Sequence, residues 1–178
     1  MTNNTKFSQF KDENAPIVRP KNASSLILVK YTDQEIKILL GRRSSKARFM
    51  PGAWVFPGGV LDRNDFKSQN SSKLDKKIIS RLAVANKSKT ADALAITAIR
   101  ETAEETGLML GKNTGTAVNN NFKNYNGLNS LYSAGLEPYI EKLYYLGRAI
   151  TPTFSPIRFH ARFFVADAKY LCGKIRTT

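Results

Sequence analysis

The sequence predicts an α/β domain in which helices are layered on a mixed sheet. Strand-sized apolar runs, Leu26-Ile27-Leu28-Val29 early and Phe163-Phe164-Val165-Ala166 late, bracket the chain. Between them lies one long helical stretch whose Ala93, Leu94, Ile96, Ala98 and Ile99 suit a core. Strands on both sides of a central helix favour a layered α/β arrangement. The 178 residues suffice for one domain with a sizeable core.

Taken in order, residues 1–20 read as a disordered lead-in, because Met1 to Asn14 is polar with no apolar secretory core. The domain is read as residues 21–178. Ser25 to Tyr31 and Ile36 to Leu40 form a hairpin split by Thr32-Asp33-Gln34-Glu35. Trp54-Val55-Phe56 is a short third strand, stopped by Pro57-Gly58-Gly59. The polar stretch 63–89 reads as an insertion, with one short amphipathic helix over Leu74 to Val84.

Thr90 or Asp92 is expected to open the long helix as its N-cap, and Gly107 to end it in a left-handed conformation. Asn113 to Asn129 reads as loop, Leu128 to Ala134 as a short helix, and Tyr144-Tyr145-Leu146 and Phe159 to Val165 as strands.

Composition narrows the class. No apolar run approaches the roughly 18–20 residues of a membrane span. A lone Cys172 excludes an intrachain disulfide and a cysteine metal cluster, and a reducing cytoplasmic setting is the simplest expectation. Lys and Arg number 28 against 14 acids, a net charge of +14. Such a surface attracts polyanions, but the lysines are scattered and no aromatic-interleaved basic motif accompanies them.

Against that charge, Arg100-Glu101-Thr102-Ala103-Glu104-Glu105-Thr106-Gly107 stands out. Residues three and four apart share a helix face, so Glu101 lies above Glu104 and Glu105. Like charges so spaced cost about 0.2–0.5 kcal/mol per pair, and a hard divalent cation held by carboxylate oxygens is the natural compensation. A chance match to five specified residues is on the order of one per million start positions.

Arg-Glu-x-x-Glu-Glu-x-Gly, preceded by Phe56-Pro57-Gly58-Gly59, resembles the Nudix hydrolase signature. The resemblance implies an α/β/α sandwich with a mixed sheet and metal-assisted attack of water on a nucleoside diphosphate derivative. It implies Mg²⁺ or Mn²⁺ held by Glu101, Glu104 and Glu105 with a Gly58 or Gly59 carbonyl, and Arg100 orienting a signature glutamate. The family signature runs Gly-x5-Glu-x7-Arg-Glu. Counting back from Arg100 gives Asp92 at the glutamate and Asn86 at the glycine. Asp92 either keeps the acidic role or serves only as an N-cap.

Leu39-Leu40-Gly41-Arg42-Arg43-Ser44, then Arg48, Gly52 and Phe56-Pro57-Gly58-Gly59, resembles the extra motif of coenzyme A diphosphatases. The insertion, Ile150-Thr151-Pro152, Arg158-Phe159 and Arg162-Phe163-Phe164 resemble the peroxisomal mammalian branch of that activity. Coenzyme A or acyl-CoA is therefore the leading substrate implied, split to 3′,5′-ADP and 4′-phosphopantetheine, with Arg43 and Arg48 on its phosphates and Gly58 beside them. His160 falls where that branch carries Asp, and a catalytic or metal role is not expected of it. Proteins of this branch continue past Phe163-Phe164-Val165 with a further strand and a closing helix, so the sandwich is expected to be short of its C-terminal elements.

A non-catalytic nucleotide-binding module or a truncated product is the second reading, and an RNA-processing enzyme the third. The expected partner is a small nucleoside diphosphate derivative rather than nucleic acid or membrane, and an oligomer is allowed.

Overall fold

The computed structural model describes residues 17–47, 50–68, 70–82, 84, 87–115 and 126–172. Most of the expected lead-in, residues 1–16, lies outside the described residues, as do Arg48, Asn86, the middle of the expected loop and the chain after Cys172.

The first strand, β1 (Lys21–Tyr31), is the axis of the sheet. Its β-branched and leucine-rich centre is buried on both faces, and Leu26 is fully covered. β2 (Ile36–Ile38) folds back antiparallel on it, with Tyr31 opposite Ile36. The expected four-residue loop joins them, closed by the Thr32 hydroxyl and the Glu35 carbonyl and amide. β3 (Gly41–Arg42) and β4 (Trp54–Val55) form a small separate ribbon.

The Pro-Gly-Gly segment was expected only to stop the third strand. It also begins a new one. β5 (Gly58–Val60) pairs antiparallel with β1, placing Gly59 opposite Ser24 and Gly58 opposite Ser25. β5 and β2 thus share one edge of β1, the first along residues 23–25 and the second along 29–31. Proline at 57 is tolerated because its carbonyl, not its missing N–H, takes part, accepting from Leu26 N at 2.9 Å.

Residues 65–67 make a single 3-10 turn. α1 (Lys76–Arg81) follows, capped by Asp75, whose side chain accepts from Lys77 N at 2.7 Å. α2 (Ser88–Thr106) is the long helix. It begins before either expected cap, with Lys87 at the N-cap and no side-chain capping bond. Gly107 ends it at φ 77°, its N–H bonded to Ala103 O, as the left-handed cap requires.

β6 (Met109–Asn113) and β7 (Leu136–Pro138) were not foreseen; they pair across α3 (Asn126–Ser133) and carry β10 (Leu171–Cys172) beside them. β8 (Tyr144–Ile150) and β9 (Phe159–Asp167) complete the main sheet in the order β2-β1-β9-β8. β9 runs parallel to β1 and antiparallel to β8, so the sheet is mixed, as expected.

One core joins these layers. Leu26, Leu28, Phe164 and Ala166 on the sheet meet Leu94, Ala95, Ala98 and Ile99 of α2, with Leu128 and Leu131 of α3 behind. α2 is covered on nearly every side from Ala91 to Arg100 because Leu74, Leu82 and Val84 pack over its other flank. Full burial of each such leucine or phenylalanine contributes about 1.5–3 kcal/mol. Among the described residues, α1, α2 and α3 all contribute side chains to this core or pack against it.

Candidate active site

The carboxylates sit on the last turns of α2, where the helix leaves its buried stretch and passes β5. Glu101 and Glu104 are half-buried and Glu105 is exposed. Gly107 stops the helix two residues later, so the acidic face ends at the edge of the sheet.

Arg100 was expected to orient a signature glutamate rather than to sit exposed on the helix. It is only 4% exposed. Its Nη1 donates to Glu101 Oε1 at 2.8 Å and to Glu104 Oε2 at 3.1 Å, and its Nη2 to the Val60 carbonyl at 3.2 Å. Behind it, Asp65 receives Nε at 2.8 Å and Nη2 at 3.2 Å in a two-pronged pair. Asp65 is itself held by the Thr97 hydroxyl at 2.8 Å and the Asp62 amide at 2.9 Å. Burial alone would weaken the charge on Arg100, but the Asp65 hydrogen bond and charge, then Glu101, outweigh it and hold the guanidinium protonated well above its ordinary value.

Sequence reasoning missed Asp65. Counting back from Arg100 led to Asp92, which instead accepts from Leu74 N at 3.3 Å and pairs with Lys73 at 3.4 Å. Counting forward from Gly59 gives Gly-x5-Asp, ending at Asp65. The glycine half of the signature is therefore intact, with Asp for Glu, and the extra residues lie between Asp65 and Arg100. The side chain of Asp92 clamps that extra segment onto α2.

The glycines set the approach of strand to helix. A Cβ on Gly59 would overlap the Glu101 carboxylate, and one on Gly58 would overlap the Ser24 carbonyl. Gly58 N donates to Glu105 Oε2 at 3.2 Å. On the other side, Gly127 at the start of α3 lies so close to Arg100 O and the Glu104 side chain that no side chain fits, and its N–H donates to Glu104 Oε1 at 3.2 Å. No signal in the sequence marked Gly127.

Electrostatics follow from this crowding. Burial raises the Glu101 carboxyl above its ordinary value, opposed by Arg100 and reinforced by Glu104 and Glu105. Partial desolvation of its carboxyl likewise raises Glu105, although the residue is largely exposed, opposed by the Gly58 N–H and the charge of Arg43 and reinforced by Glu104. Arg43 therefore stands within electrostatic reach of the acidic face. Its Nε is buried and has no hydrogen-bond partner.

Among the described residues, no three acidic, histidine or cysteine side chains form a ready-made metal cage. The donor chemistry nonetheless fits a hard cation. Three carboxylates on one helix face are oxygen donors, and desolvation holds two of them above their ordinary value.

The solved structure of a NUDIX hydrolase from Alicyclobacillus acidocaldarius is similar to this chain with a TM-score of 0.64 and 27% identity, covering 91% of this chain and 76% of that one. In sequence and fold this chain resembles Nudix hydrolases. Two curated relatives agree. Nudix hydrolase 7 of Caenorhabditis elegans is 32% identical over 93 residues, 52% of this chain and 23% of that protein. The acyl-coenzyme A diphosphatase NUDT19 of Xenopus laevis is 35% identical over 97 residues, 43% of this chain and 26% of that protein. The chain thus matches about a quarter of the length of these relatives. No family model matches it.

Among the described residues, no helix is long and apolar enough to cross a membrane.

Proposed function

We propose that this Nudix protein is a divalent-metal-dependent hydrolase that cleaves the diphosphate of a nucleoside diphosphate derivative, with coenzyme A or an acyl-CoA as its leading substrate. The observation that carries the reading is the shared face of α2 on which a buried Arg100 holds Glu101 and Glu104 while Glu101 and Glu105 lie against Gly59 and Gly58 of β5.

Glu101, Glu104 and Glu105, with the Gly59 carbonyl, are the groups assigned to hold Mg²⁺ or Mn²⁺. When bound, the ion supplies charge neutralisation on phosphate oxygens and an acidified water. Arg100 is a positioning residue. It fixes one oxygen each of Glu101 and Glu104 while Asp65 fixes the guanidinium, so both carboxylates are oriented before substrate arrives. Gly58 and Gly59 let the strand backbone come within reach of the acids. Arg43, with a buried and unpartnered Nε, suits a phosphate oxygen of the substrate. Arg48 is assigned the same task from the sequence motif alone.

The coenzyme A assignment draws on that motif and on the partial likeness to an acyl-coenzyme A diphosphatase. It is tested by incubating the protein with coenzyme A and Mg²⁺ or Mn²⁺ and identifying products by mass, beside Glu104→Gln. Metal-dependent release of 3′,5′-ADP and phosphopantetheine, lost in the variant, is the expected result. No turnover of coenzyme A, acyl-CoA, ADP-ribose or NADH would sink the enzyme.

A non-catalytic nucleotide-binding module is the second reading. It is favoured by the existing engagements of Glu101, Glu104 and Glu105 with Arg100, Gly127 and Gly58. Calorimetry separates the two, since a module binds coenzyme A with unchanged affinity in Glu104→Gln and never turns it over.

A further inference from the structure

A second charged cluster lies on β9 and makes no use of the glutamates. Arg158, just before the strand, and His160 and Arg162 within it alternate and so share one face. Register places His160 beside Asn22 of β1 and Ile150 of β8, and Arg162 between Ser24 and Arg148. The cluster therefore holds four basic side chains, Arg148, Arg158, His160 and Arg162, with Asn22 beside them.

Arg162 is the anomaly. It is 2% exposed, and among the described residues its hydrogen-bond partners are all neutral. Nη1 donates to Asn22 Oδ1 at 2.6 Å and to His160 O at 2.7 Å, and Nε to Leu82 O at 3.4 Å. Buried charges are ordinarily paired with an opposite charge. Here, among the described residues, the charged neighbour across the ladder is a like one. Arg148 stands directly opposite across the β8–β9 ladder, an arrangement that is destabilising in itself. Arg148 is exposed, and its Nη1 lies 3.2 Å from His160 Nε2. Arg158 repeats the pattern, 9% exposed and held, among the described residues, by the carbonyls of Thr151 and Val18. Next to Arg162, the Ser24 hydroxyl is buried with no hydrogen-bond partner.

Fixed, desolvated positive charge beneath an accessible arginine and imidazole is the composition of an anion receptor. The guanidinium fork matches phosphate oxygens in geometry, and a dianion would relieve the Arg148–Arg162 repulsion. We propose that Arg148, His160 and Arg162 form a second anion site that takes a phosphomonoester group. Arg162 supplies buried charge, and Arg148 and His160 make the direct contacts. The proposal is independent of hydrolysis at the glutamates.

His160 is the only histidine of the chain, so its imidazole gives a single set of proton signals in an untagged protein. The test follows those signals at constant pH and ionic strength during titration with inorganic phosphate, glycerol phosphate, chloride and a single-stranded oligonucleotide. Saturable shifts with phosphate or glycerol phosphate are expected, absent with chloride. The tighter of the two identifies free phosphate or an organic phosphomonoester as the better ligand. Arg148→Gln, an exposed change, should weaken the response by about tenfold or more, as loss of a charge-assisted contact implies. Glu104→Gln should leave it unchanged, so a failed hydrolysis assay does not bear on this site. A linear response, an equal response to chloride, a response to the oligonucleotide alone, or full binding by Arg148→Gln would overturn the proposal.

Discussion

Asp65 and Arg100 are 35 positions apart and form a two-pronged pair, 2.8 and 3.2 Å long, that is sealed from solvent. The pair links a turn after β5 to the face of α2 that carries the glutamates. Removing one partner leaves a buried charge without compensation, which typically costs about 3–5 kcal/mol. Asp65→Ala is therefore expected to lose stability on that scale in urea unfolding. Its hydrolysis should fall as well, because Arg100 would no longer hold Glu101 and Glu104. Replacing both partners, Asp65→Leu with Arg100→Met, should cost less than Asp65→Ala alone. A stability of Asp65→Ala within about 1 kcal/mol of wild type would contradict the anchoring role.

The two adjacent glycines should respond differently to the same change. In Gly58→Ala the new Cβ meets the Ser24 carbonyl, which is backbone, and in Gly59→Ala it meets the end of the Glu101 side chain. Overpacking against backbone costs about 1–3 kcal/mol, so Gly58→Ala should lower the melting temperature more. Gly59→Ala should fold well and lose turnover by pushing Glu101 aside. Thermal melts and kcat on the two variants check this, and equal effects on both quantities would refute it.

Much of this site was legible because helical spacing converts sequence directly into geometry. Glu101, Glu104 and Glu105 had to share a face, and Gly107 had to end the helix near them. Contacts between elements were less legible. Counting along one helix reached Asp92, which instead clamps Leu74 and Lys73, while the acid that grips Arg100 comes from a turn 35 residues earlier. β5 escaped notice because Gly58 and Gly59 have poor strand propensity, and only pairing with β1 makes them a strand. α2 opens earlier than Thr90 or Asp92 because tertiary packing of Ala91 and Leu94, not a capping side chain, sets its start.

Glu104→Gln and Glu105→Gln should each reduce metal-dependent turnover by at least about 100-fold. Neither side chain is deeply buried, so circular dichroism and melting temperature should stay close to wild type. Glu104→Gln keeps an oxygen that can still accept from Gly127 N, the contact made now by Glu104 Oε1, so α3 should keep its place. Stopped assays with Mn²⁺ and Mg²⁺ measure the loss, and turnover within about tenfold of wild type in both variants would move the active site elsewhere.

The last expectation concerns acid stability. Burial first, then the charges of Arg162 and Arg148, hold the His160 imidazole below the usual histidine value of 6.5. Arg158 adds a further cation on the same face of β9, and Asn22, already engaged by Arg162, brings no charge from β1. A histidine with a depressed folded value binds fewer protons folded than unfolded in the interval between the two values. Stability contributed by its neutral form is complete above about 6.5 and is lost as pH falls toward the folded value. His160→Gln cannot titrate, so its urea midpoint should fall less than wild type over that interval, in buffer free of phosphate. Parallel curves for the two proteins would mean that His160 is not held neutral by its arginine neighbours.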